Sequence, residues 1–149
     1  MDIRHGIRPN LPQFGLQLLQ VFLVGATVGM TRTVVPVLAE SDFGLARGSF
    51  LALASFVVVF GLVKAVLNLF AGRLSDLWGR RRVLLAGWLA ALPVPFLILY
   101  GPGWGWIVAA TLFLGVNQGL CWSMALNSKL DLARADQGGL VNGLNEFAG

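Results

Sequence analysis

The 149-residue chain is 56% apolar and only 12% charged, with a mean hydropathy of +0.75. Soluble domains carry about 25% charged residues, so this composition excludes an ordinary water-soluble domain and places the chain in the membrane class. The net charge of +4 does not indicate nucleic acid, because the basic residues sit in short segments between apolar runs and form no stripe along a surface helix.

Residues 1–13 read as a polar tail containing Arg4, His5 and Arg8. The apolar run that follows is too long for a signal-peptide h-region and has no small-residue cleavage site, so it reads as a retained first span. About 20 apolar residues cross the hydrocarbon core as a helix. On that measure the first span covers about 14–39 and ends at Glu40-Ser-Asp42, and the second covers about 49–74. The third covers about 83–100 and contains Pro93 and Pro95, whose missing donors and rings predict a bend. The fourth runs over about 104–127. Beyond Lys129, Asp131, Arg134 and Asp136, a fifth apolar segment begins at 138 and reaches Gly149, far short of a span. Residues 14–149 are therefore expected to form part of an N-terminal helical bundle of a larger protein.

Charge placement sets an expected orientation. With the N-terminus inside, the inner segments hold Arg4, Arg8, Arg73, Arg80, Arg81, Arg82, Lys129 and Arg134, and the outer loops hold only Arg47 beside Glu40 and Asp42. Basic residues in short loops are retained on the cytoplasmic side, so this asymmetry predicts a multi-pass plasma (inner) membrane protein with a cytoplasmic N-terminus. Tyr100, Trp104 and Trp106 at the outer turn and Trp78 at the inner one suit the two interfaces.

The segment joining spans two and three, Gly72-Arg-Leu-Ser-Asp76-Leu-Trp-Gly79-Arg80-Arg81-Arg82, carries the most specific pattern. Gly72 would let the end of the second helix approach a neighbour closely, and Gly79 would permit the backbone of a tight reversal. Asp76 could accept hydrogen bonds from a helix N-terminus or pair with a nearby Arg. Read alone, Arg80 to Arg82 could be a topological anchor. Together with the glycines and the acid, the spacing resembles the signature loop of the major facilitator superfamily.

That resemblance implies an all-α membrane protein. These residues would be the first four helices, and the start of a fifth, of a multi-span bundle with about twelve or more spans in two halves. It further implies secondary transport of a small solute by alternating access, with no cofactor and no enzymatic step. Gly72, Asp76, Gly79, Arg80 and Arg81 would form the conformational-switch loop, with Asp76 and Arg80 holding the two halves together in one state. The partner would be the C-terminal helical bundle of the same protein. Leu77 departs from the family pattern, which often has a basic residue there. Gly25-x3-Gly29 and Gly115-x3-Gly119 faintly echo the internal repeat of such folds.

Polar residues at membrane depth are costly and need a cavity or a partner. Arg32, Lys64, Asn68, Asn117 and Gln118 are accordingly the candidates for a substrate path near the midplane. Asn117 and Gln118 read equally well as hydrogen-bond glue between helices, and Arg32 could snorkel outward. Two cations with no acid in the first four spans point toward an anionic solute or toward acids elsewhere in the larger protein, Glu146 at the onset of the fifth segment being one candidate partner. Membrane lipid surrounds the spans. No metal-ligand set or phosphate-cradling Gly-x4-Gly-Lys loop is present in the sequence. Cys121 reads as a small apolar residue, and the isolated His5 suggests no chemistry. The alternative reading is a small four-helix membrane scaffold or accessory subunit without transport activity.

Overall fold

The computed structural model describes residues 5–45 and 49–149, without the side chains of 51–53. Arg4 and Arg47, two of the charges used for orientation, lie outside the described residues. In chain order the helices are α1 (Leu11–Ser41), α2 (Phe50–Trp78), α3 (Arg80–Ala91), α4 (Pro93–Tyr100), α5 (Trp104–Leu132) and α6 (Gly138–Ala148), with a 3-10 turn at Ala135–Gln137 before α6. Among the described residues, four helical stretches are long and apolar enough to span a membrane: Leu11–Ser41, Ala54–Trp78, Arg80–Tyr100 and Trp104–Leu132. This is the all-α, multi-span bundle expected from the sequence.

The third stretch is broken as its prolines predict. Pro93 opens α4 and has no N–H to offer the carbonyl of Leu89, and Leu92 N–H takes that carbonyl instead at 3.2 Å. Pro36 lies inside α1 and likewise removes the donor that the carbonyl of Arg32 would otherwise receive.

α5 is the centre of the bundle. Its most apolar window is 61% buried, against 17% for each of the other three spans. α1, α2, α3 and α4 all pack against it. Lipid tails are as apolar as leucine, so helix association in a bilayer depends on close packing rather than on withdrawal from water. The contact with α2 is built on Gly115 and Gly119: a Cβ on Gly119 would lie 2.7 Å from Leu67 Cβ and 3.1 Å from the carbonyl oxygen of Lys64. Gly87 of α3 allows a similar approach to Cys121 of α5.

Apolar layers then stack from one end to the other. Val35, Phe56 and Ile107 form the outermost layer; Phe60, Val94, Ala110 and Leu114 the next. Ala71, Val83, Leu120 and Met124 follow, and Phe14, Ala133 and Val141 close the opposite end. On α1 the buried residues Phe14, Val21, Val24, Thr31 and Val35 recur every three, four or seven positions, a single stripe that meets α5.

At the C-terminal end of α5 the N-terminal tail folds back to close the helix. The last four carbonyls of a helix lack intrahelical donors. Ala133 N–H serves those of Lys129 and Leu130 at 3.1 and 3.3 Å. His5 Nδ1 donates to that of Asp131 at 3.2 Å, and Gly6 N–H to that of Leu132 at 2.8 Å. The tail thus has a structural job, and His5 is part of it. In the loop that follows, Arg134 Nε donates to Asp136 at 2.9 Å, and this bond holds the Asp136 carboxyl below the usual carboxylate range.

Candidate functional site

Lys64 stands fourteen residues from either end of α2, and Gln118 fourteen from either end of α5. At 1.5 Å per residue both lie about 21 Å from their helix ends, at the middle of the bundle. Arg32 of α1 joins them in one cleft of about 240 Å³, with Phe60 and Trp122 as its aromatic walls, Gly29 leaving open space, and Gly25 and Gly149 packed together at its edge. The guanidinium of Arg32 lies 5.8 Å from the Phe60 ring centre, and Lys64 Nζ lies 6.0 Å from Phe60 and 5.2 Å from Trp122.

Gln118 as a residue is 97% buried, its amide oxygen Oε1 is buried without a partner, and its side chain forms no hydrogen bond among the described residues. A cation at the centre of a span opposes insertion by about 2.5–3.5 kcal/mol on translocon scales. An aromatic face returns about 0.5–2 kcal/mol. The rings therefore offset only part of the penalty, and Arg32 and Lys64 need water or an anion beside them.

Of the five mid-membrane candidates, the structure brings Arg32, Lys64 and Gln118 together and places Asn68 and Asn117 elsewhere. Asn117 lies one residue, or about 100° of helix, from Gln118. It faces α3, where its Nδ2 donates to the carbonyl of Gly87 at 3.0 Å. Asn68 accepts from Ser123 Oγ at 2.9 Å and ties α2 to α5. Neither lines the cleft: Asn117 makes the interhelical bond that the sequence left open for it, and Asn68 makes one that the sequence reading did not foresee.

The roles of two further residues, Lys129 and Asn145, escaped the sequence reading. Lys129 counted there as a loop charge, but α5 continues to Leu132 and encloses Lys129 completely. Its Nζ donates to Asn145 Oδ1 of α6 at 2.7 Å, and Asn145 Nδ2 donates to Glu146 Oε1 at 3.0 Å. The helical phase carried a signal for this. Positions 118, 122, 125 and 129 form one stripe, so the face bearing Gln118 and Trp122 continues to Lys129.

The hairpin between α2 and α3 is built around Gly79, whose φ of 81° lies in the left-handed region that other residues avoid. Its N–H bonds the carbonyl of Ser75 and ends α2, while its own carbonyl accepts from Val83 N–H and starts α3. This reversal sends Arg80 toward α5. There Arg80 forms an ion pair with Asp131 and donates to the carbonyl of Asn127 at 3.3 Å.

Two expectations for the hairpin are corrected. Asp76 is exposed and has no hydrogen bond or ion pair among the described residues, because Arg80 is engaged by Asp131 instead. A Cβ on Gly72 would meet nothing within 4 Å, because its neighbour Ala71 is the residue turned to the core. The pattern around Gly25 also differs from a contact with α5: Gly25 admits the end of α6 at Gly149.

No curated protein and no solved structure matches the chain. A family model described as Major Facilitator Superfamily matches residues 18–149. That stretch holds most of the first membrane-capable helix, the other three, the Gly79 hairpin and the mid-depth cleft, and the chain belongs to the major facilitator superfamily.

Proposed function

We propose that this chain contributes the first helices of a secondary transporter that moves a small, negatively charged solute by alternating access, with the cleft as part of the solute path. Membership in the family implies secondary transport in a multi-pass membrane protein. The observation that carries the finer reading is the meeting of Arg32, Lys64 and the unbonded amide of Gln118 at mid-depth. Polar groups left uncommitted there mark solute routes, since a purely structural site would have used them in helix contacts.

The hairpin is read as the conformational switch. Gly79 fixes the reversal, Arg80 anchors it to α5, and Arg81 lies beside it. The exposed Asp76 carboxylate and the open side of α2 at Gly72 are free to meet the second helical bundle in one state of the cycle. The charge count supports a plasma (inner) membrane location with the N-terminus in the cytoplasm.

The test is counterflow in ATP-free proteoliposomes containing the product of the complete reading frame. Saturable exchange is expected, with affinity or selectivity among anions changed by Lys64→Ala. Unchanged kinetics across the anions tried would remove Lys64 from the path.

A further inference from the structure

Two features of the cleft, its paired cations and its unspent amide, define what kind of anion it accepts. We infer that the cleft takes a small organic carboxylate that carries a hydrogen-bonding group next to the carboxylate, a 2-hydroxy acid being the simplest form. This deepens the solute-path reading and rests on it.

Arg32 and Lys64 reach the same space from α1 and α2 and lean on a shared ring, Phe60, so their charges converge on one point. Glu146 of α6 does not line the cleft. No acidic side chain is among the lining residues, so an entering anion finds both cations. Arg presents a planar fork that matches a carboxylate, and Lys adds a point charge.

Charge alone would admit any oxyanion. The amide of Gln118 narrows the choice, because it offers one donor group and one acceptor and neither is used. A buried amide left unpaired is costly, so a solute with a hydroxyl within reach is favoured over one without it. The remaining wall is Phe60, Trp122 and Val28, which suits an apolar body. The volume of about 240 Å³ equals about eight water volumes at ~30 Å³ each, room for a solute of about ten non-hydrogen atoms.

Mandelate, phenylacetate and mandelamide separate the contributions, since the second lacks the hydroxyl and the third lacks the charge. Binding is read from the fluorescence of Trp122, taken as the difference between the full-length protein and its Trp122→Phe variant in detergent. Mandelate is expected to bind saturably, at least about tenfold tighter than either analogue, a gap of about 1.4 kcal/mol. Gln118→Leu should bring mandelate down to the level of phenylacetate. The near-isosteric Gln118→Glu should weaken both carboxylates while helical content stays unchanged.

Equal binding of mandelamide and mandelate would overturn the anion assignment. Equal binding of phenylacetate and mandelate, or displacement of mandelate by inorganic phosphate at the same concentration, would overturn the hydroxy-acid assignment. Selective mandelate binding by a protein that shows no counterflow would support this inference and count against the transport reading alone.

Discussion

Alanine at Gly119 is expected to force α2 and α5 apart. The added methyl would sit 2.7 Å from Leu67 Cβ and 3.1 Å from the carbonyl oxygen of Lys64. Neither neighbour is a flexible side-chain tip, so the relief must come from moving a helix. Overpacking of this kind costs about 1–3 kcal/mol. The same substitution at Gly72 meets nothing within 4 Å. There alanine should gain up to about 1 kcal/mol from helix propensity. The two variants thus differ in sign although the chemical change is identical. Thermal unfolding in detergent, followed by tryptophan fluorescence, should place Gly119→Ala below the parent by about 2–12 °C, using about 2–4 °C per kcal/mol for chains of this size. Gly72→Ala should match or exceed the parent. Because Lys64 is on the displaced stretch of α2, Gly119→Ala should also weaken anion binding in the cleft. The packing account fails if Gly119→Ala is as stable as Gly72→Ala.

Asn145→Leu should strand the buried ammonium of Lys129 and destabilise the protein by upwards of about 2 kcal/mol, whereas the double variant with Lys129→Met should recover most of the loss. A double-mutant cycle on unfolding temperatures reads this directly. Arg80→Gln breaks an ion pair whose partners are 39% and 57% exposed, so its cost should stay within about 1 kcal/mol and shrink in high salt. Asp76→Asn should leave insertion and thermal stability unchanged but impair uptake by the full-length protein. Parental uptake at equal abundance would remove Asp76 from the switch.

Much of the helical frame was legible because a span leaves a strong local signal: a long apolar run, a break at Pro93 and a glycine where the chain reverses. The left-handed backbone at Gly79 follows from its position between two runs. The pairings were less legible because they depend on helix rotation and on partners distant in sequence. Arg80 has its nearest acid four residues away at Asp76, yet it pairs with Asp131, fifty-one positions on. Asn117 and Gln118 are sequence neighbours, but one turns to α3 and the other to the cleft. Lys129 was read as a loop residue because charge marks span ends on average. The bundle enclosed it instead, since Asn145 supplies an acceptor that lies in another helix.

The central claim is that the space between Arg32, Lys64 and Gln118 is a water-filled solute path. Gly29 lines it and has open space where a Cβ would stand, whereas Leu69 points outward from α2. The native Cys121 is buried and contributes little background. Labelling with a membrane-impermeant thiol reagent in intact vesicles should modify Gly29→Cys and spare Leu69→Cys, and mandelate should slow the modification. Failure of Gly29→Cys to react faster than Leu69→Cys would contradict the account.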